Sequence, residues 1–414
     1  MAKPPDFPRL SFEAGAVFTP GAPINERDLF AGRQKEIEKI LDAVSQRGLH
    51  AVLFGDRGVG KTSLANILVP VLQEHGQRVV FPRTNCDPQD TFASLWRRVL
   101  QDIEVEHTRP GLGFSAREIK TRTKLIDALP ADVRPDGVRR VLSQLGQGAQ
   151  LIICIDEFDR LQSPQVGEFM SDTIKALSDS AVPATILLIG VAESVDNLIA
   201  DHRSVERSLV QIPMPRMSLA ESKQIVEKGL ARLRMRAEPA ALTEIASLSQ
   251  GLPYITHLLA LHCVRAALAA ERLMVKPTDV QEGIRKALDN WQQSIITAYY
   301  EATRSPQPGH LYKEVLLACA LADVDENNYF TAAAVRTPLR LVARPDLDIP
   351  NFSRHLKEFS DERRGRILTR EGETRRFRYR FVSPLMRPYI VMRGFSEGLL
   401  TKKMMAELDA QSAG

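Results

Sequence analysis

The sequence predicts an α/β fold class: a parallel β-sheet covered by helices, followed by an all-helical unit and a small C-terminal unit of helices and a hairpin. Three observations carry this expectation. Short apolar runs at His50–Gly55, Leu151–Ile155, Thr185–Ile189 and Leu209–Ile212 alternate with segments of helical periodicity. That is the pattern of βαβ units whose strands are buried on both faces. After Met217 the strand-like runs stop and helical periodicity continues alone. Near the C-terminus, strand-like runs flank the turn Glu371-Gly372-Glu373.

Taken in chain order, residues 1–25 are proline-rich, lack periodicity and read as an extended N-terminal arm. Residues 26–217 read as the α/β core. Leu29, Ile37, Ile40, Leu41 and Val44 are spaced for an amphipathic helix reaching Gln46, preceded by the turn Phe30-Ala31-Gly32-Arg33. His50–Gly55 is a buried strand that leads through a glycine-rich turn into a helix from Lys61. Arg78–Asn85 reads as a second strand. Thr91–Glu104 and Ala116–Leu129 read as helices separated by the loop Arg109-Pro110-Gly111, and Asp136 as the N-cap of a helix running to Leu145. Residues 218–303 form a helical unit with segments Leu219–Leu233, Ala240–Ser249, Pro253–Ala270 and Thr278–Thr303. Arg304–Gly309 is a linker. Within residues 310–400, helices are expected at His310–Ala322, Thr331–Leu341 and Asn351–Ser360, and strands at Ile367–Thr369 and Arg378–Val382. Residues 401–414 are expected as a tail, and no internal repeat is visible.

Composition narrows the function classes. The chain has 414 residues, 44% apolar and 26% charged, which excludes a disordered chain, a collagen-like repeat and a disulfide scaffold. Cys86, Cys154, Cys263 and Cys319 lie far apart with no CxxC pair, and the histidines show no metal-ligand spacing. His257 and His262, five positions apart, do not share a helical face. The N-terminus lacks the apolar run of a signal peptide, and the longest apolar stretches are far short of a membrane span. A cytoplasmic chain is the expectation. The formal charge is +4, and residues 310–400 account for it with 16 Lys and Arg against 12 Asp and Glu, leaving 39 of each elsewhere.

The strongest local signal is Gly55-Asp56-Arg57-Gly58-Val59-Gly60-Lys61-Thr62, followed by Ser63. It matches GxxxxGK[ST] in the context the chemistry requires, after an apolar strand and before a helix. The glycines let consecutive backbone N–H groups face a phosphate, and the helix N-terminus adds a favourable dipole. Lys61 can reach the β- and γ-phosphates of a nucleotide, and the Thr62 hydroxyl can ligate Mg²⁺. The run Leu151–Ile155 ends in Asp156-Glu157, so a buried strand delivers carboxylates to the sheet's carboxyl edge. Asp156 suits Mg²⁺ through water, and Glu157 suits a general base that polarises an attacking water. ATP and Mg²⁺ are the expected ligands, and ATP hydrolysis the expected reaction.

With these residues in place, the chain resembles the additional-strand P-loop ATPases, the group holding the AAA+ and STAND ATPases. The resemblance implies a P-loop NTPase core, an α-helical lid over residues 218–303 and a C-terminal winged-helix domain over 310–400. Phe30-Ala31-Gly32-Arg33 resembles the lead-in those families place against adenine, which implies nucleotide contacts for Gly32 and Arg33. Gly251-Leu252-Pro253 resembles a signature at the start of a lid helix, which implies a role for Pro253 at the base. The 95 positions from Lys61 to Asp156 fit the origin-recognition and STAND-like branches better than compact AAA+ domains. After the fourth strand these families carry a polar sensor, for which Ser194 or Glu193 stands nearest unless the sensor is absent. A trans-acting arginine before the fifth strand is implied at Arg207, with Arg203 next. Arg207 as a finger requires self-association, and otherwise it is a surface arginine paired to Glu206 or Asp201. His257 reads as a packed lid residue.

The C-terminal unit leaves its partner open. Phe352, Leu356 and Phe359 share one face of a helix, with Arg354 and Lys357 off it, which suits a recognition helix entering a duplex DNA groove. Arg363, Arg364, Arg366, Arg370, Arg375, Arg376, Arg378 and Arg380 crowd the following hairpin and suit phosphates. The alternative is a protein-binding or packing module whose arginines pair with Asp361, Glu362, Glu371 and Glu373. These two readings give a DNA-associated switch ATPase or a STAND-like signalling or anti-phage defence ATPase whose winged helix binds protein.

Overall fold

The computed structural model describes residues 5–74, 79–109, 119–144, 150–192, 205–307, 309–373 and 376–412. The chain divides into two compact units, Pro23–Pro215 and Met1–Ala22 together with Arg216–Gly414.

In Pro23–Pro215 the strands are β1 (His50–Phe54), β2 (Val79–Val80), β3 (Arg83–Asn85), β4 (Glu104–Arg109), β5 (Ile119–Lys124), β6 (Gln150–Asp156), β7 (Ala184–Gly190) and β8 (Leu209–Pro213). One sheet runs β2-β6-β7-β1-β8, with β3 also paired to β6, and every pairing in it is parallel. β7 therefore stands between β1 and β6. The registers Leu53–Ile189 and Ile155–Leu188 bring the carboxyl ends of β1 and β6 side by side across it. β6 and β7 are buried along nearly their whole length because both of their faces are covered. Val52, Ile153, Ile155, Ile186 and Leu188 pack with Trp96, Leu142 and Met170 from the helices Phe92–Leu100, Pro135–Leu142 and Pro164–Asp179. The helices Gln34–Ser45 and Lys61–Glu74 pack on each other, the former against β1 and β8.

Several local expectations are corrected. Of the helix expected at Ala116–Leu129, residues 116–118 lie outside the described residues, and the rest is instead β5 and a 3₁₀ turn, Leu125–Ala128; β5 pairs antiparallel with β4 in a separate hairpin. Thr121 and Thr123 are β-branched and favour extended backbone, and Glu104–Arg109 supplies the ladder. The helix expected at Thr91–Glu104 ends at Leu100, with Thr91 as its N-cap. The strand expected at Arg78–Asn85 is interrupted at Phe81 and Pro82, since proline has no N–H for the ladder; its carbonyl still accepts from Cys154 N at 2.9 Å. Asp136 is a first-turn residue rather than the N-cap, because Pro135 starts the helix and Arg134 occupies the cap.

The unit Met1–Ala22 with Arg216–Gly414 begins with the largest correction. The expected extended arm contains a helix, Phe7–Val17, capped by the Asp6 side chain, which accepts from Arg9 N at 3.1 Å. Pro8 lies in its first turn, where no N–H is needed, so the prolines there start the helix rather than prevent it. This helix packs on Pro253–Ala269. Phe18, fully buried, lies edge-on to His257 at 6.0 Å between ring centroids. A Cβ at Gly229 would stand 2.3 Å from the Phe18 ring.

The helices Leu219–Arg232, Pro239–Leu248, Pro253–Ala269, Pro277–Asp289 and Gln293–Thr303 follow, the single helix expected at Thr278–Thr303 being broken after Asp289. β9 (Arg236–Ala237) and β10 (Met274–Val275) form a short parallel pair. Then come the helices Tyr312–Leu321, Ala332–Val342 and Ile349–Phe359, and an antiparallel sheet β11 (Phe330–Thr331), β13 (Arg378–Phe381), β12 (Leu368–Glu371), with β13 central. Phe352, Leu356 and Phe359 are fully buried, as their spacing predicts. A further helix, Met386–Ser396, packs on both Tyr312–Leu321 and Pro277–Asp289, and so joins the C-terminal elements to the helical ones. The expected tail carries the helix Lys402–Ser412. Among the described residues no helix is long and apolar enough to cross a membrane.

Phe18→Ala removes a fully buried ring from the seat formed by Gly229 and His257, and should lower stability by about 3–5 kcal/mol in urea denaturation. A loss within about 0.5 kcal/mol, the size of a surface substitution, would mean that the N-terminal segment is not packed.

Candidate functional site

The site grows from the end of β1. Met214 N donates to Phe54 O at 2.7 Å and extends the β1–β8 ladder to the mouth of the glycine turn. Gly55 then takes φ 146°, and a Cβ there would lie 2.5 Å from Met214 O, so only glycine lets the chain leave the strand along this path. Gly58 and Gly60 also have positive φ, 86° and 96°. The turn delivers Lys61 as the first residue of the helix Lys61–Glu74.

Lys61 is buried, and its Nζ donates to Gly55 O and Asp56 O, both at 2.8 Å. The ammonium thus bonds carbonyls of the loop that it would serve. Burial pushes its pKa down to about 8, against the pull of Asp159, Asp156 and Asp56. A desolvated cation in a turn of glycines suits an anion of the size of a phosphate.

β6 supplies the second half. Asp156 is 3% exposed, and its Oδ2 accepts from Thr62 Oγ1 at 2.9 Å and from Arg83 Nη2 at 2.7 Å. Its Oδ1 accepts from Glu157 N at 2.8 Å. Asp156 and Thr62, expected from the sequence as a metal pair, are brought into contact across β7. A hydroxyl and a carboxylate are hard oxygen donors, fitting Mg²⁺, which keeps several waters and completes its shell with phosphate oxygens. Among the described residues there is no cluster of three or more His, Cys, Asp or Glu that could hold a metal, so these two side chains would need that completion.

Glu157 sits with φ 56°, in the left-handed region, and half-exposed, with its carboxylate accepting from Arg160 at 2.8 Å. An exposed pair of this kind is weak, so the carboxylate can exchange partners. The neighbouring Asp159, which the sequence reading did not single out, accepts from Val191 N at 2.7 Å and ties the turn after β6 to that after β7.

Of the other expected contacts, Gly32 and Arg33 both have positive φ, 66° and 65°, and turn the chain into the helix Gln34–Ser45. Arg33 is 2% exposed and donates to Val59 O at 3.1 Å and Pro215 O at 2.6 Å. Its guanidinium clamps the glycine turn from behind. Ser63 Oγ accepts from Ile24 N at 3.1 Å, holding the incoming chain. The Asp56-Arg57 dipeptide lies at the tip of the turn. Arg207, in a 3₁₀ turn before β8, is highly exposed and lies 3.7 Å from Asp179 Oδ1, a different carboxylate from Glu206 or Asp201. Pro253 opens the helix Pro253–Ala269 after Gly251, whose φ of 71° places its carbonyl to accept from Met217 N at 2.8 Å. His257 is buried, and its pKa is lowered to about 4 by that burial, as fits a packed residue. Glu193, Ser194, Asp201, Arg203 and Arg375 lie outside the described residues.

The C-terminal arginines are largely engaged. Arg364 stacks on Tyr312 at 3.7 Å and donates to Ala302 O and Arg304 O. Arg378 pairs with Asp325, Arg366 with Glu362, and Arg354 with Glu358. Arg370 and Arg380 lie over Phe377 and Tyr329. Arg354, Lys357, Arg363 and Arg376 are exposed.

The sequence matches the family model described as Novel STAND NTPase 1 over residues 23–369. No curated protein matches it. Among solved structures, it is similar to the ORC1 protein of Aeropyrum pernix solved in complex with DNA, at 16% identity and TM-score 0.46, covering 93% of this chain and 97% of that one. The ORC2 protein of Aeropyrum pernix gives 14% identity and TM-score 0.49, with 96% and 98% covered. The Walker-type ATPase of Pyrococcus abyssi gives 17% identity and TM-score 0.49, with 91% and 99% covered.

The lowered pKa of Lys61 has a definite sign. Between about 8 and the ordinary value of 10.5, the folded chain holds less proton on this amine than the unfolded chain, so its contribution to stability rises with pH there. A bound phosphate favours the charged amine, so ATP binding at about pH 8.5 should take up protons. Calorimetry in buffers of different ionisation enthalpy should detect the uptake, and Lys61→Arg should abolish it. Equal heats in all buffers for the unsubstituted protein would contradict the assignment.

Proposed function

This chain belongs to the novel STAND NTPase 1 family, and on that premise we propose that it is a Mg²⁺-dependent ATPase that works as a regulatory switch. The observation that carries the reading is the 2.9 Å bond from Thr62 Oγ1 to Asp156 Oδ2 beside a buried Lys61 that donates to its own loop's carbonyls. Bound Mg²⁺ would neutralise charge on the β- and γ-phosphates. Thr62 would hold the metal directly and Asp156 through water. Lys61 would exchange the Gly55 and Asp56 carbonyls for phosphate oxygens. The backbone N–H groups of residues 57–62 would line the phosphates, with Arg33 fixing the turn through Val59 O.

Glu157 would turn from Arg160 to a water on the γ-phosphate and accept its proton. Gly32 and Pro253 are assigned to the base, and Arg207 to the γ-phosphate of a neighbouring copy. Its exposure and its loose ion pair with Asp179 support that assignment. The helices Tyr312–Leu321, Ala332–Val342 and Ile349–Phe359, with the three-stranded sheet β11-β13-β12, are read as a winged helix that moves with nucleotide state. The four unpaired, buried cysteines support a cytoplasmic location.

The partner of the winged helix has two readings. Exposed Arg354, Lys357, Arg363 and Arg376 support duplex DNA, because the chain's whole charge excess lies in this region. The internal contacts of Arg364, Arg370, Arg378 and Arg380 support a protein partner, because they withdraw the hairpin's cations from phosphate duty.

Glu157→Gln should keep ATP affinity and slow turnover by about 10²-fold or more, measured as single-turnover hydrolysis. Lys61→Ala should abolish binding. Unchanged turnover in the first variant, or retained affinity in the second, would contradict the assigned roles. Duplex affinity of the full chain should fall with log salt at a slope set by about three or four phosphate contacts. No duplex binding at low salt leaves the protein-partner reading.

A further inference from the structure

Arg83 enters none of the expectations drawn from the sequence. It opens β3, which pairs in parallel with the end of β6: Arg83 lies opposite Cys154, and Asn85 opposite Asp156. One edge of its guanidinium donates through Nη2 to Asp156 Oδ2 at 2.7 Å. That is the oxygen that also accepts from Thr62 Oγ1 at 2.9 Å. The other edge donates through Nη1 to Asn66 Oδ1, on the helix that Lys61 begins. The Asp156 side chain is 5% exposed and that of Arg83 is 27% exposed. A carboxylate this buried needs a counter-charge, and removing it leaves a costly lone ion.

The same oxygen therefore serves two purposes. Without a divalent cation, the guanidinium neutralises it. With a divalent cation between Thr62 and Asp156, the metal's shell needs the lone pairs that Arg83 occupies, and two cations within a few ångströms of each other repel. The guanidinium has a second hold in place, since Asn66 lies on its other edge.

We propose that Arg83 is a resident counter-ion of the metal site, which neutralises Asp156 in the absence of a divalent cation and cedes its oxygen when one binds, while Asn66 retains the guanidinium. The proposal rests on the reading of Thr62 and Asp156 as the Mg²⁺ pair. It makes Arg83 a positioning residue that sets how much Mg²⁺ is needed, and it makes the nucleotide-free fold independent of Mg²⁺. Methionine at 83 has similar length and no charge, so Arg83→Met leaves Asp156 without its partner and the metal without its competitor.

Two measurements on the full chain test this. The first is thermal melting without nucleotide, with and without MgCl₂. The unsubstituted protein should be indifferent to Mg²⁺, whereas Arg83→Met should melt roughly 5 °C lower and recover on adding Mg²⁺. Asp156→Asn in the same background should remove the recovery. The second is the Mg²⁺ dependence of binding of a fluorescent ATP analogue. The half-saturating Mg²⁺ concentration should fall roughly tenfold in Arg83→Met, as loss of a competing cation requires. Asn66→Leu, which removes the second hold, should raise it. Arg83→Met that melts identically with and without Mg²⁺, or an unchanged half-saturating concentration with analogue binding intact, would overturn the proposal. Failure of the unsubstituted protein to bind the analogue at any Mg²⁺ concentration would instead overturn the ATPase reading, and the melting response would still decide the role of Arg83.

Discussion

The buried carboxylate of Asp156 is the constraint around which the α/β unit is arranged. It sits 3% exposed at the carboxyl end of β6, where an unpaired charge is costly. Two side chains answer it from different elements: the Thr62 hydroxyl from the helix after β1, and the Arg83 guanidinium from β3. To be in reach, β1 and β6 must end at the same edge although β7 separates them, which only parallel strands in this register allow. The apolar core beneath, from Val52 and Ile153 to Trp96 and Met170, fixes that register because a one-residue slip would turn each strand's side chains over.

The phosphate turn shows the same economy of partners. Lys61 is desolvated and satisfied by Gly55 and Asp56 carbonyls, Arg33 holds Val59 from behind, and Gly55 passes close to Met214 O where a side chain could not. The turn is thus preformed by contacts within its own unit. A ligand would need to rearrange chiefly the Lys61 head group, which limits the ordering cost of binding.

The parts of the fold that were legible in the sequence are those governed by local pattern. The apolar runs match β1, β6, β7 and β8 to within a residue or two, and the glycine turn and Asp156-Glu157 stand at the carboxyl ends of β1 and β6, where their spacing puts them. The parts that were not legible depend on partners distant in sequence. Ile119–Lys124 is a strand because Glu104–Arg109 pairs with it, not because of its own periodicity. Phe7–Val17 is helical on account of the Asp6 cap and a seat on Pro253–Ala269, while its prolines suggested an arm. Arg33, for which the resemblance implies a nucleotide contact, also donates to the Val59 and Pro215 carbonyls, which no local pattern announces. Arg83 could have been noticed only as a cation in a strand next to Pro82, a signal too weak to place it on Asp156.

The central claim is that Thr62, Asp156 and Lys61 form one Mg²⁺-nucleotide site. A crystal structure of the full chain with Mg²⁺ and a non-hydrolysable ATP analogue tests it most directly. The account predicts the metal on Thr62 Oγ1 and phosphate oxygens, with Asp156 reaching it through water. It also predicts Lys61 Nζ moved from the Gly55 and Asp56 carbonyls to the phosphates. A nucleotide bound elsewhere, or a bound triphosphate with Lys61 still on its own loop's carbonyls, would contradict the account.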